Sequence, residues 1–191
     1  MGSALRPPAP PAAVHRLKVT LAGIRPPIWR RLLVPSDVTL ARLHRILQAA
    51  MGWQDGHLHR FRVGAPTSGD RVRRGEVSAR GERTTRLIEV APAPADRLRY
   101  EYDFGDSWEH DVVVEAVLPP EPGRRAPVCV AGKRACPPED CGGAWGYGEL
   151  LDAVGNPGHP AHAELGAWLG GPFDPEAFDL EGINRRLARV R

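Results

Sequence analysis

The sequence predicts an α+β fold: a single domain in which a mostly antiparallel β-sheet packs against several helices, with a cysteine-containing loop and a C-terminal helical part. Three observations predict it. Short β-branched and aromatic runs separated by turn residues fill the first two thirds of the chain, one amphipathic helical stretch interrupts them, and helical patterns gather after the last cysteine. The 21 glycines and 20 prolines among 191 residues keep every regular element short.

Met1 to Ala13 is a Pro/Ala-rich stretch expected to be a disordered tail, leaving residues 14–191 as the domain. Val14 to Ile24 and Ile28 to Val34 are apolar and β-branched and flank Arg25-Pro26-Pro27, so they predict two strands joined by a tight connection. Thr39 is placed to cap a helix running to Met51, whose Leu40, Leu43, Leu47 and Ala50 form an apolar stripe. Gly52 supplies its left-handed stop, and Trp53 covers the last turn. The next segment, His57 to Val63, alternates as a strand does and offers no second helix, which argues against a helix-turn-helix. Gly64 to Glu82 predicts a long loop or irregular hairpin, and Thr84 to Val90 a strand. Tyr100 to Leu118 predicts a hairpin with a three-residue Gly105-Asp106-Ser107 loop, setting Phe104 opposite Trp108, Tyr102 opposite His110 and Tyr100 opposite Val112. Helices are expected over Tyr147 to Val154, Pro160 to Leu169 and Leu180 to Val190, the last capped by Asp179.

A net charge of +3 and a pI of about 9.0 permit contact with nucleic acid without requiring it. No apolar run reaches the length of about 18 residues that a membrane span needs, and residues 1–13 lack the basic-then-apolar arrangement expected of a secretory signal. With three cysteines, an odd number, a reducing cytoplasmic setting is the simpler expectation.

All three cysteines, Cys129, Cys136 and Cys141, fall in one turn-rich segment. They offer three soft ligands for a structural zinc, with a fourth available from His57, His59, His110, His159 or His162. The alternative is three small side chains packed in a glycine-rich turn.

The expected hairpin also lines up Glu101, Asp103, Glu109 and Asp111 on one face, where like charges across a ladder need compensation. Arg60 and Arg62 are the counter-charges at hand; a solvated face or a bound cation are the other solutions. His57 and His59 have the spacing of a metal pair on a strand, while His59 and His110 equally suit a hydrogen-bonded core. The kinase-like triplet Asp103-Phe104-Gly105 stands without the other kinase motifs, and no phosphate loop, zinc-protease or nucleophile-elbow signature occurs.

GIRPPIWRRLLVP, AAMGW, HLHRF, YEYDFGDSWEHDV, CVAGKRACPPEDCGGAWGYGELL and GPFDPEAFDLEGINRRL together resemble the plasmid pRiA ORF-three-like family, over nearly everything from Val14 onward. That resemblance implies a single α+β domain associated with plasmids and insertion elements, some members of which carry the label TnpR or resolvase. The label is not supported here. None of Ser3, Ser36, Ser68, Ser78 and Ser107 sits among arginines ahead of a long helix, as a serine recombinase requires.

The expected function is therefore a non-catalytic accessory or interaction domain of mobile-element origin, with nucleic acid or protein as partner and Trp29, Arg30, Arg31, Arg42 and Arg45 as contact candidates. Arg30 and Arg31 point to opposite strand faces, so one patch can use only one of them. The alternative is a metal-dependent hydrolase or nuclease built on His57, His59, Asp106 and His110, with Asp103 or Glu109 as base.

Overall fold

A computed structural model describes residues 13–64, 75–120 and 127–190. Seven antiparallel strands form one sheet: β1 (Val14–Leu21), β2 (Trp29–Pro35), β3 (His59–Val63), β4 (Gly75–Val77), β5 (Arg97–Tyr102), β6 (Trp108–Leu118) and β7 (Val128–Lys133), in the order β4-β3-β5-β6-β1-β2-β7. Strict alternation sends Leu17, Val19, Leu32, Val34, Phe61, Tyr100, Tyr102, Trp108, Val112 and Val114 to one face. Helices cover that face, and the other carries charge.

The helices are α1 (Leu40–Met51), the single turns α2 (Ala79–Glu82) and α3 (Leu87–Val90), α4 (Gly143–Gly155), α5 (His162–Leu169) and α6 (Leu180–Leu187). Helix α1 forms as its sequence dictates. Thr39 accepts from the Arg42 amide, Leu40, Leu43, Ile46 and Leu47 are fully buried, and Gly52 closes the helix at φ 92°. Trp53 then turns back into the core, its amide bonded to Gln48 O at 3.1 Å.

Helix α6 packs against α1 and β7. Asn184 holds the outer strand by its backbone: Oδ1 accepts from Cys129 N at 2.8 Å and Nδ2 donates to Cys129 O at 3.0 Å.

The structure corrects or refines four local expectations. Thr84 to Val90 is no strand but leads into α3, because the Leu87 and Ile88 amides donate to Val38 O and Ser36 O and Glu89 accepts from the Arg86 amide. The segment 64–82, expected as a long loop or irregular hairpin, contains β4, which pairs antiparallel with β3, and the turn α2, with 65–74 outside the described residues. Ala13, the last residue of the expected tail, accepts from the Ser36 amide and so belongs to the fold; the twelve before it lie outside the described residues.

The fourth correction concerns the hairpin. Tyr102 faces Trp108, Tyr100 faces His110 and Glu101 faces Glu109, so the loop holds five residues and the register moves by two. Asp103 leaves the ladder at φ 57° and its Oδ1 accepts from Gly105 N at 2.9 Å, while the Ser107 amide bonds to Asp103 O. A shift of two preserves which face each residue meets, so the aromatic face survives intact. Only Phe104 is expelled, 44% exposed beneath the Arg60 guanidinium at 4.8 Å.

Candidate functional site

The acidic row on the open sheet face meets arginine. Arg60 Nε lies 2.7 Å and Arg62 Nη2 3.2 Å from Glu101 Oε2, while Arg99, absent from the sequence argument, reaches Glu109 at 3.5 Å and Asp111 at 3.3 Å. Glu109 therefore stands apart from any histidine cluster. Farther across the same face, the Arg31 guanidinium holds Glu115 at 2.6 and 2.7 Å, depressing that carboxyl below its ordinary range, and Arg16 joins at 3.3 Å.

Among the contact candidates, Trp29 and Arg31 lie on this face, with Lys18 and Arg31 each over the Trp29 ring. Arg45 is exposed on α1 and Arg42 half-buried. Arg30 contradicts its assignment as a contact. It is 3% exposed, stacked on Phe178, and its guanidinium donates to the carbonyls of Ala50, Trp29 and Lys133. Its charge ties strands to helix.

The histidines expected to act together are divided among three places. His110 is fully buried against Tyr100 and Trp53, with burial lowering it to about 4, so it is a neutral core side chain. His59, at the start of β3, pairs with the buried Glu82 at 2.9 Å and stacks on His44. His57 precedes the strand, so the alternation argument for a His57/His59 pair does not apply. Its ring lies between Asp140 at 3.0 Å and Asp103 at 3.7 Å.

Sequence reasoning named Asp103 and His57 but missed Asp140, which arrives from the cysteine loop. Several bonds bring that loop to the end of α1. Trp53 Nε1 donates to Pro137 O at 3.0 Å, Tyr102 Oη donates to Glu139 Oε1 at 2.6 Å, and the other Glu139 oxygen accepts from Gln54 N. Asp106 accepts from Gly142 N at 3.2 Å, and Gly143, at φ 69°, sits where a Cβ would collide with the Asp106 carbonyl. The Gly142-Gly143 pair is thus what lets α4 start against the hairpin loop.

The three thiols take no part in the contacts given for these histidines. Cys129 lies on β7 and donates to Ala131 O at 3.3 Å, while burial pushes Cys136 and Cys141 up to about 12, favouring the protonated thiol. No group of three convergent ligand atoms among the described residues includes a cysteine. His159 and His162 sit at the start of α5, His162 bonded to Ala153 O.

Beside Asp140 opens a groove of two joined cavities, of about 560 and 390 Å³, which share Asp140 and Trp168. Glu139, Asp140, Glu149 and Glu164 line it, and neither cavity has a lysine or arginine in its wall. Trp145, on α4, is 77% exposed and Trp168, on α5, 48% exposed at its margin. An isolated apolar residue at a surface is ordinary, but two tryptophans on one acidic groove are a surface feature that needs a reason.

Fold and sequence together define a class: the chain belongs to the plasmid pRiA4b ORF-3-like protein family, matched over residues 13–182. It is similar to the uncharacterized protein y4hQ of Sinorhizobium fredii (strain NBRC 101917 / NGR234), 40% identical over 180 residues that cover 92% of this chain and 91% of that one. The crystal structure of MM3350 from Methanosarcina mazei Go1, a protein of unknown function, shares the fold at a TM-score of 0.79 and 39% identity, covering 89% of this chain and 97% of that one. No helix among the described residues is long and apolar enough to cross a membrane.

Proposed function

We propose that this chain is a non-catalytic interaction domain of mobile-element origin that captures a positively charged, Arg/Lys-rich segment of a protein partner in the groove between the cysteine loop, α4 and α5. The observation that carries the reading is the groove's composition: four carboxylates, no lysine or arginine, a single histidine (His57) and two exposed tryptophans, on a chain whose net charge is +3. Carboxylates attract guanidinium and ammonium groups, tryptophan faces bind them further, and phosphate is repelled.

The open sheet face supports a nucleic-acid partner less well, because Arg60, Arg62, Arg99 and Arg31 already meet carboxylates and Arg30 is buried. The hydrolase alternative loses its assembled cluster once His110 and Glu109 are elsewhere.

Titrating the protein with an oligo-arginine peptide while following tryptophan fluorescence tests the reading. Saturable binding is expected, weakened by added salt and by Trp168→Ala or by Asp140→Asn with Glu164→Gln. Equal binding of an oligo-glutamate peptide, or no binding at low salt, would overturn it. Steeply salt-dependent binding of DNA or RNA instead would move the partner to the open sheet face.

A further inference from the structure

Helix α5 sits on the molecule unlike α1, α4 and α6: none of its residues is fully buried, although Leu165, Trp168 and Leu169 give it an apolar side. One flank, carrying Glu164 and Trp168, belongs to the acidic groove. On the other flank opens a separate cavity of about 510 Å³, walled by Leu151 and Val154 of α4, Gly166 and Leu169 of α5, and Pro172 and Phe173 of the segment that follows. This wall has no carboxylate, lysine or arginine. Its one titratable side chain is His162, with Nδ1 bonded to Ala153 O at 2.8 Å.

The two flanks meet at the end of α5. The larger part of the groove, of about 560 Å³, has Trp168 and Asp140 in its wall and shares Leu169 and Phe173 with the apolar cavity, so a chain lying in the groove reaches that cavity by passing round the Gly170 turn. The far wall is fixed in place. Phe173 stands edge-on to Tyr147 with centroids 6.2 Å apart, Pro175 O accepts from Ala135 N at 3.0 Å, and Arg134 Nε donates to Glu176 at 2.7 Å. The slot has room to spare: a Cβ at Gly166 or at Gly155, both in its wall, would meet no heavy atom outside the local helix backbone within 4 Å.

We infer that the partner segment is amphipathic, setting one apolar side chain of leucine size or larger in this slot beside arginines or lysines that lie on Asp140, Glu149 and Glu164. The inference rests on the assignment of the groove to a basic partner and adds the apolar half of its specificity. Charge complementarity places the basic groups on the Glu164 flank of α5, and the other flank excludes them, because a charge seated between Val154, Leu169 and Phe173 would lose its water and find no counter-charge. Solvent-exposed ion pairs contribute little by themselves, whereas an apolar anchor in a preformed pocket carries much of an interface's affinity.

The test titrates the full chain with oligo-arginine peptides that carry a single leucine, moved from position to position, against the same peptides with alanine there. At its best position the leucine should tighten binding about 10-fold or more. Gly166→Leu, from α5, and Gly155→Leu, from α4, each fill the slot and should abolish that gain while the alanine peptides bind as before, with the fold checked by circular dichroism. Gly166→Ala raises the helix propensity of α5 at least as far without filling the slot, and should keep the gain. Alanine peptides that bind while leucine helps at no position would overturn the amphipathic partner and leave the basic groove standing. A gain that survives both filling changes would overturn it too, by placing the anchor elsewhere. Binding of neither series at low salt would remove the groove reading and this inference with it.

Discussion

The open face of the sheet and the groove beside α4 and α5 are both rich in charge, yet they use it in opposite ways. On the sheet, nearly every carboxylate is met by a guanidinium: Glu101 by Arg60 and Arg62, Glu109 and Asp111 by Arg99, Glu115 by Arg31 and Arg16. In the groove, four carboxylates gather with no lysine or arginine in the wall and only His57, beside Asp140, to answer them. A ladder of like charges must be compensated within the fold because the strands force the side chains together, whereas loop and helix carboxylates can stay solvated until a partner arrives. Position in the fold, more than residue type, decides whether a charge serves stability or recognition.

The comparison can be broken first from the side of the buried sheet face, where the largest effect is expected. His110 has an ordinary value of 6.5 in the unfolded chain and is lowered to about 4 in the folded one. As pH falls the unfolded chain takes up this proton first, so the stability His110 confers is complete above pH 6.5 and is lost progressively toward pH 4. The loss amounts to roughly 3 kcal/mol. Urea unfolding at pH 7 and pH 4 checks it, and His110→Phe should remove much of the slope; an unchanged slope in that variant would assign the effect elsewhere.

Glu101→Gln comes next. It leaves Arg60 and Arg62 without their buried carboxylate and should cost about 2 kcal/mol in the same assay. Binding of the basic peptide should be unaffected.

Trp145→Ala should do the reverse: a change in stability below about 0.5 kcal/mol, because the ring is largely in solvent, with a clear loss of peptide affinity. A large destabilisation would make Trp145 part of the scaffold and erase the contrast.

Much of the fold was legible because its signals are local. Thr39, the Leu40/Leu43/Leu47 stripe and Gly52 specify α1 within fourteen residues, and the β1 and β2 runs carry their own alternation. The pairing of Arg60 and Arg62 with the acidic row was also legible, since strand parity survives a register slip of two. The register itself was not, because it depends on Asp103 adopting a left-handed conformation and turning its carboxylate onto the loop amides.

The candidate sites were less readable still, being assembled from distant segments. Asp140 meets His57 across more than eighty residues, and Glu82 meets His59 from the end of a segment expected as a long loop or irregular hairpin. One signal was available: His44 stands one turn from Leu40 and Leu47 on the apolar side of α1, and a polar residue there implies a buried partner. For the cysteines, closeness in sequence is not by itself a ligand set: among the described residues no group of three convergent ligand atoms includes one.

The clasp of Asn184 on the Cys129 peptide reaches beyond the packing of one helix. Edge strand β7 shows its outer hydrogen-bonding groups to whatever approaches, and α6 occupies part of that template from within the same chain. A truncation ahead of Leu180 would hand the exposed rim to neighbouring molecules, making self-association, more than simple unfolding, the signature of losing the last helix.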